Sequence, residues 1–397
     1  MRDVLYLDTA RLGRMSPRAC RASIDFARLA CEHGSTLYSD DFLRFGSQCL
    51  SDSLLGCYPG LDDWRGPEQL RQRLSSLAKL PNGLQTIFAS RSANLMKLAS
   101  MYLFRRCRRV MITDLTWPAY ENILLHEMHR TGGSVQKVEV RSRLLQGNVS
   151  AVELIDRLGN EFIRSQCDGL FLPLVDNLGI RLPVSAITNH LRNLAELRFC
   201  VVDAAQAFEN VPLGLDAGYC DFMIAGCHKW LCAHTPMGVG FFGRHSSQQS
   251  LSEALARWLQ SGAVDDPLLV FSNELVTGLT NPFGETAPVL PMLTANAAAV
   301  DAIGRIHNPS NFSRQAIHTA VSEAGWEIVS PESGFESQII LIRKKPSTCV
   351  KNLRRRLLEN SVAATVYDDG LVRLAIPFGN FSERDRCQLH SALIAVA

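Results

Sequence analysis

The sequence predicts an α/β protein with a large domain built on a mostly parallel sheet and a smaller αβ domain at its C-terminus. From about residue 66 to residue 245, short apolar segments alternate with amphipathic ones, which is typical of parallel strands joined by helices that cover both faces of the sheet. From residue 291 the pattern changes to a long helical passage followed by shorter mixed elements. The 397 residues are enough for two or three domains. We expect an N-terminal arm and helix over 1–65, the large domain over 66–290 and the small domain over 291–397.

The elements of the large domain follow from apolar periodicity. The predicted strands are 84–89, 109–113, 135–140, 169–175, 199–202, 222–225 and 239–242, and the predicted helices are 93–105, 118–129, 152–163 and 184–197. Ligands of such sheets bind at the carboxyl ends of the strands. In the flanking regions we predict helices over 18–32, 291–327, 349–359 and 383–397, with strands over 337–343 and 371–376.

Composition excludes several classes of protein. Hydrophobic residues make up 46% of the chain and charged residues 20%, which excludes a disordered protein. The 41 basic and 39 acidic residues nearly balance, so the charge favours neither a nucleic-acid partner nor an acidic one. The N-terminus lacks the pattern of a secretory signal, and no apolar run reaches the ~20 residues of a membrane span. The twelve irregularly spaced cysteines include no CxxC pair, which favours reduced thiols in the cytoplasm and no metal site.

The segment from Val201 to Gly240 carries the most chemical information. Asp203 ends an apolar strand, and Lys229 follows another strand within the sequence Gly-Cys-His-Lys-Trp. A lysine in an apolar environment has a lowered pKa and can form a Schiff base, and a carboxylate can keep a pyridinium nitrogen protonated. Pyridoxal phosphate requires both groups. From the spacing of the residues alone, the structural alternative is slightly favoured, in which Asp203 is a strand-end cap and Lys229 an interface lysine.

The sequence Asp203-Ala-Ala-Gln206-Ala, followed by Asp221-Phe-x4-Cys-His228-Lys229-Trp, resembles the signature of the class V aminotransferase superfamily. These are fold type I pyridoxal-phosphate enzymes and include cysteine desulfurases, kynureninases and isopenicillin N epimerase. The opening Tyr6-Leu-Asp8-Thr-Ala10 is similar to the start of these enzymes, and the segment from Trp64 to Arg71 to their helix before the sheet. The resemblance covers nearly the whole chain.

The resemblance implies a role for each matching residue near the cofactor ring. Lys229 would form the Schiff base and move the proton at the substrate α-carbon, while Asp203 would pair with the pyridinium nitrogen. Gln206 would lie near the 3-hydroxyl or the lysine. Trp117 would stack on the ring, although an ordinary core tryptophan is the alternative. Asp176 or Asn177 would bond the 3-hydroxyl or the substrate.

The phosphate site is where the chain departs from the family. Relatives have a Ser-Gly-Ala-Thr-Glu-like turn where this chain has Ala-Ser-Arg91-Ser92-Ala93-Asn, although the start of a helix there still offers N–H groups to phosphate. Ser92 and Ala93 would donate to it, and Arg91 would supply charge or face solvent. His228 resembles a further phosphate ligand. The family's serine two residues earlier is Gly226 here, which implies one lost contact.

Two further residues are matched through the resemblance. Thr286 would reach the phosphate of the neighbouring subunit, which implies a homodimer with composite sites. Arg373, on the strand Leu371-Val-Arg373-Leu, would bind the substrate α-carboxylate as a bidentate fork, with a structural ion pair as the alternative.

The leading functional hypothesis is a lyase that breaks the Cβ–S bond of a cysteine S-conjugate by β-elimination, in specialised natural-product metabolism. The alternative is an aminotransferase or a (decarboxylating) deaminase. An epimerase is less favoured because no acid for the opposite face is identified. A cysteine desulfurase is less favoured because no cysteine lies between Val350 and Arg373, and the nearest, Cys349, begins a predicted helix.

A catalytically inactive relative is disfavoured because Lys229, Asp203 and Arg373 are all present. A nucleotide-binding Rossmann protein is disfavoured because no GxGxxG follows the first core strand.

Overall fold

The computed structural model describes residues 4–34, 40–147, 149–278, 287–305, 311–329, 331, 334–344, 352–376, 378–379 and 381–396. The large sheet has seven strands in the order β2-β8-β7-β6-β5-β3-β4. Only β8 runs antiparallel to its neighbours, so the predicted mostly parallel sheet and the α/β fold class are confirmed. The strands are β2 (Thr86–Ala89), β3 (Arg109–Thr113), β4 (Ser134–Val138), β5 (Gly169–Pro173), β6 (Phe199–Asp203), β7 (Phe222–Gly226) and β8 (Gly238–Phe242).

Both faces of this sheet are buried. Along β6, Phe199 and Val201 belong to one apolar cluster, and Cys200 and Val202 belong to another on the opposite face, as the two-residue period of a strand requires. The helices of this region are α4 (Pro67–Ala78), α5 (Ser92–Arg106), α6 (Pro118–Thr131), α7 (Arg141–Leu145), α8 (Ala151–Arg164), α9 (Val184–Leu194), α10 (His245–Gln260) and α11 (Pro267–Thr277).

A second sheet lies in the C-terminal region. Its four antiparallel strands have the order β12-β13-β10-β9 and share an apolar cluster with the helices around them. The elements are α12 (Val289–Ile303), α13 (Asn311–Glu323), β9 (Glu327–Val329), β10 (Ile339–Arg343), α14 (Leu353–Glu359), β11 (Val362–Ala363), β12 (Thr365–Val366), β13 (Leu371–Ala375) and α15 (Glu383–Ala395). The helical passage predicted over 291–327 is thus divided between α12 and α13. The domain boundaries after residues 65 and 290 stay predictions.

The N-terminal segment contacts both parts of the molecule. Its strand β1 (Leu5–Tyr6) pairs in parallel with β11. The helix α1 (Pro17–His33) packs against α12, and Arg18 makes an ion pair with Asp301 at 3.2 Å. Two short helices follow, α2 (Asp40–Phe45) and α3 (Asp52–Cys57). No helix in the described part of the chain is both long enough and apolar enough to cross a membrane.

Candidate active site

A cavity of about 350 Å³ opens at the carboxyl ends of β3, β5, β6 and β7. The small sheet contributes Arg373 from β13, and the N-terminal segment contributes Ala10 and Arg11. Ten of the twelve predicted site residues line this one cavity: Ser92, Ala93, Trp117, Asp176, Asn177, Asp203, Gln206, His228, Lys229 and Arg373. Arg91 does not line the cavity and is exposed in the single chain, and Thr286 lies outside the described residues.

Asp203 is the last residue of β6 and is almost fully buried. Its Oδ1 accepts the N–H of Ala205 at 2.8 Å, which fixes the plane of the carboxylate. Burial raises the pKa of Asp203 to about 6, and the Ala205 hydrogen bond and the charge of Lys229 oppose that rise. Its carboxylate therefore depends on a nearby positive charge to stay ionised.

Lys229 lies in the turn that follows β7 and is only partly exposed. Burial lowers the pKa of Lys229 to about 8; Asp203 raises it and Arg373 lowers it further. The turn is held in place by the N-terminal segment, because Gly13 donates its N–H to the carbonyl of His228 at 2.8 Å. A Cβ at Gly13 would lie 1.9 Å from the Lys229 carbonyl oxygen, so only glycine allows this close approach.

Two aromatic side chains from the start of α6 form one wall. Trp117 precedes the helix and is 47% exposed at the cavity, so the core-tryptophan alternative is wrong. Tyr120, one turn into α6, is almost fully buried, and burial raises its pKa. The wall therefore offers a flat ring at the opening and a neutral hydroxyl deeper inside.

The turn between β2 and α5 brings Ser92 and Ala93 to the cavity. The helix has no side-chain cap, so its first N–H groups remain available. The carboxylate of Asp266 accepts the N–H and the hydroxyl of Ser90, each at 3.1 Å, which locks the turn. A Cβ at Gly238 would lie 2.6 Å from the Ser92 nitrogen, so β8 packs directly against this turn.

His228 and Gln206 both line the cavity, but the His228 ring has a nitrogen without a hydrogen-bond partner, whereas both ends of the Gln206 amide are bonded. The Nδ1 of His228 has no hydrogen-bond partner, and burial, assisted by the charges of Lys229 and His234, lowers the His228 pKa to about 4. A Cβ at Gly226 would lie 3.0 Å from the His228 ring, so the imidazole borders the space that a serine would use. The amide of Gln206 already donates to Ala10 at 2.7 Å and accepts from the Trp230 indole at 2.9 Å.

Arg373 is 5% exposed and is oriented by several partners. Its Nη1 donates to the Asn177 carbonyl at 2.9 Å and to the Tyr367 hydroxyl at 3.2 Å. Its Nη2 donates to Thr365 at 3.2 Å and lies 3.7 Å from the carboxylate of Asp8, whereas its Nε has no partner. The guanidinium therefore keeps free donors while its position is fixed.

Asp176 and Asn177 both face the cavity, so the structure does not choose between them. Asp176 Oδ1 accepts the N–H groups of Leu178 at 2.9 Å and Ile180 at 2.8 Å, and burial raises the pKa of Asp176 to about 6. The Oδ1 of Asn177 has no hydrogen-bond partner. Asn177 also lies beside Arg373, because its carbonyl accepts from that guanidinium.

Comparison with protein families finds a match over residues 65–307 to the family described as "Aminotransferase class-V". The chain belongs to the class-V aminotransferase family. Members of this family are pyridoxal-phosphate-dependent enzymes, and pyridoxal phosphate is the cofactor of this class-V enzyme. A comparison of its sequence with curated proteins finds no match.

Solved structures share the fold of this class-V enzyme at low sequence identity. Ureidoglycine–glyoxylate aminotransferase from Bacillus subtilis superposes with a TM-score of 0.69 at 12% identity, covering 100% of this chain and 93% of that one. The alanine–glyoxylate aminotransferase of Nostoc sp. superposes with a TM-score of 0.65 at 16% identity, covering 100% of this chain and 96% of that one. The cystine C–S lyase C-DES, in complex with its reaction product cysteine persulfide, superposes with a TM-score of 0.67 at 14% identity. The match covers 99% of this chain and 98% of that one.

The cavity of the class-V enzyme fits its cofactor. Several buried polar atoms around it have no hydrogen-bond partner among the described residues: His228 Nδ1, Asn177 Oδ1 and Arg373 Nε. Buried polar groups are normally paired, so a cluster of unpaired ones indicates a polar ligand. The uncapped start of α5 suits a phosphate, and the buried carboxylate of Asp203 suits a protonated ring nitrogen.

Sequence reasoning missed several residues of this site. Tyr120 follows Trp117 by three residues, and the helix start at Pro118 places both at the same end, so this signal was available. Arg11 directly follows the Asp8-Thr-Ala10 motif, so it could also have been predicted as a site residue from its position in the sequence. The groups that orient Arg373, namely Asp8 and Thr365, are 357 residues apart and gave no local signal.

Proposed function

We propose that this class-V enzyme breaks the Cβ–S bond of a cysteine S-conjugate by β-elimination. The observation that carries the proposal is the placement of one base, Lys229, and one carboxylate anchor, Arg373, in a single cavity. None of the described residues that line the cavity is a cysteine. A desulfurase that forms a persulfide on the enzyme itself would need such a thiol. Cys349, the nearest candidate in sequence, lies outside the described residues.

The proposed roles divide along the cavity. Ser92, Ala93 and His228 would hold the phosphate of the cofactor, Trp117 would lie along its ring and Asp203 would face its ring nitrogen. When bound, pyridoxal phosphate supplies an electron sink for the charge that develops at the substrate Cα. Asp203 supports that sink because its carboxylate is buried and interacts best with a positive charge.

The substrate would be held by its α-carboxylate on Arg373, with Asn177 beside it. Lys229 would then remove the proton from Cα, since its burial favours the neutral amine, which can act as a base. The Cβ–S bond breaks as the electron pair forms the Cα–Cβ double bond and the thiolate departs. The ammonium of Lys229 can return the proton to the sulfur, and water then hydrolyses the released enamine to pyruvate and ammonia.

The apolar part of the lining suits a thioether leaving group. Leu115 and Val175 are buried apolar residues of the lining, and the buried Tyr120 adds an aromatic ring. Sulfur is polarizable and packs well against aromatic rings. A thiol product would therefore find apolar contacts on its way out.

Amino-group transfer is the second candidate, and the family match and the two aminotransferases of the same fold favour it. In that reaction Lys229 would deliver the proton to the cofactor instead of to the leaving group. The keto acid product would keep its sulfur. The two candidates therefore differ in the fate of the Cβ–S bond.

One experiment separates them. Purified enzyme loaded with pyridoxal phosphate is mixed with an S-alkyl-L-cysteine while absorbance, pyruvate and free thiol are followed together. Elimination predicts equal amounts of pyruvate and thiol and a cofactor spectrum that recovers. A keto acid that retains sulfur, with conversion to the pyridoxamine form, would establish transfer instead. The Lys229→Ala variant is the control and should give neither product.

We also propose that the enzyme is a homodimer in which Thr286 reaches the partner's phosphate site, and that it serves specialised natural-product metabolism. The homodimer rests on the sequence resemblance alone, and light scattering of the purified protein tests it. A monomer with full activity would contradict it. The cytoplasmic location stays a prediction from the cysteine pattern.

A further inference from the structure

Arg11 lines the catalytic cavity and has no assigned role. It is exposed, and its guanidinium makes no hydrogen bond or ion pair with any residue in the described part of the chain. The other cations of the cavity have anionic neighbours. Arg373 lies 3.7 Å from Asp8, and Lys229 interacts with Asp203. Arg11 therefore brings to the cavity a positive charge that the described residues do not neutralise.

The backbone around Arg11 is fixed on both sides. Its own N–H donates to the carbonyl of Asp8 at 2.9 Å, and the carbonyl of Ala10 accepts from the Gln206 amide at 2.7 Å. Two residues further on, Gly13 bonds to the turn that carries Lys229. Because this segment is tied to the base of the site, the backbone from which the Arg11 side chain extends has a fixed position at the cavity. A fixed backbone lowers part of the entropy cost of binding an anion.

We propose that Arg11 binds a second anionic group of the substrate, a carboxylate on its side chain. The inference rests on the proposed function, in which Arg373 takes the α-carboxylate and Lys229 acts at Cα. Arg11 is then the cation left for the rest of the substrate. The substrate class becomes a cysteine S-conjugate whose sulfur substituent carries a carboxylate. A guanidinium fork matches a carboxylate in two parallel hydrogen bonds, which a neutral amide cannot reproduce.

The expected preference is moderate because Arg11 is exposed. Water screens the pair, so the acid should bind about tenfold more tightly than its isosteric amide, below the full value of a buried charged hydrogen bond. Larger discrimination would require burial that the single chain does not provide.

The test uses two isosteric pairs: S-carboxymethyl-L-cysteine with S-carbamoylmethyl-L-cysteine, and L-glutamate with L-glutamine. Dissociation constants are measured from the absorbance of pyridoxal phosphate bound to the Lys229→Ala variant, which cannot turn the ligands over. The acid of each pair should bind about tenfold more tightly than the amide. Adding Arg11→Gln should bring the ratio close to one by weakening only the acids.

Arg14→Gln is the matched control. Arg14 lies in the same segment and is exposed, but it donates to the carbonyl of Val4 at 2.9 Å, stacks on Tyr6 and does not line the cavity. This variant should keep the tenfold ratio. A ratio near one with Arg11 present would overturn the proposal. So would an Arg11→Gln variant that weakens binding of the cofactor and leaves the acid-to-amide ratio intact, because Arg11 would then be a phosphate ligand.

The proposed β-elimination is judged separately, on pyruvate release by the enzyme with Lys229 in place. An intact acid preference without pyruvate would refute elimination and leave Arg11 in its role. Pyruvate release without a preference for the acids would support elimination and refute the proposed role of Arg11.

Discussion

Replacing Arg373 with glutamine should remove the recognition of the substrate α-carboxylate. Of the five guanidinium N–H groups, those on Nη1 go to Asn177 and Tyr367, and one on Nη2 goes to Thr365. The Nε–H and one Nη2–H remain for a ligand. Two charge-assisted hydrogen bonds of about 1.5 kcal/mol each give about 3 kcal/mol, which corresponds to a loss of about 100-fold in kcat/KM.

The assay compares an amino-acid substrate with the corresponding amine that lacks the carboxylate. The native enzyme should prefer the amino acid by about 100-fold, and Arg373→Gln should lose this preference while its activity on the amine changes little. Tyr367→Phe removes one hydrogen bond that orients the guanidinium, so it should cost only several-fold. If Arg373→Gln kept the native preference, the α-carboxylate would bind elsewhere and the arrangement proposed for the site would be wrong.

Folding must be measured alongside, since Asp8 is buried and lies 3.7 Å from Arg373. Among the described residues, removing the cation leaves this carboxylate with the hydroxyl of Thr365 as its one side-chain hydrogen-bond partner. We expect a fall of a few degrees in Tm, which does not affect the ratio between two substrates. The substrate ratio therefore separates recognition from stability.

Three other variants test the cofactor site. Asp203→Asn should lower kcat by at least 100-fold, because a neutral amide cannot keep the cofactor ring nitrogen protonated. An unchanged kcat would show that Asp203 does not pair with that nitrogen. Gly238→Ala should displace Ser92 and so weaken cofactor binding at least tenfold, as measured by cofactor titration. The control Gly56→Ala, where a Cβ meets nothing within 4 Å, should bind the cofactor normally. In the cofactor-free protein, Lys229 has a pKa of about 8, below its usual 10.5, so the unfolded state binds more protons between those values. Its contribution should make the stability of the cofactor-free protein rise with pH from about 8 to 10.5, and Lys229→Met should abolish that part of the rise in a denaturant titration.

Most strands of the large sheet were predictable because they are buried on both faces; the edge strand β4 is only partly buried. The predicted segment 109–113 is the observed β3, and the predicted 222–225 and 239–242 differ from β7 and β8 by one residue. Apolar runs of this kind give a strong local signal. The helices α10 and α11 were not predicted.

The strand β1 could not have been predicted by the same means. It has two residues, and its partner β11 lies more than 350 positions away, so its existence depends on tertiary packing. The same holds for the orientation of Arg373, which residues from three other segments determine. Its strand could be predicted from the sequence, but the contacts of its guanidinium could not.

The proposed site residues at strand ends were identifiable for a physical reason. Asp203 ends one apolar strand and Lys229 follows another, and the carboxyl ends of parallel strands meet at one edge. Arg91 was harder to interpret because a charged residue in a turn can face the ligand or solvent. In the single chain it is exposed and lies off the cavity.

The N-terminal segment has a consequence for how the enzyme is made. Residues 5–13 are synthesised long before their partners, because Leu5 pairs with Val362 and the carbonyl of Leu7 accepts a hydrogen bond from Ala375. During synthesis this segment must wait for more than 350 further residues before these contacts can form. The large sheet can fold earlier, but the rim that holds Arg11 and supports Lys229 is completed only when these contacts form. A nascent chain is therefore expected to be inactive until Ala375 has been synthesised.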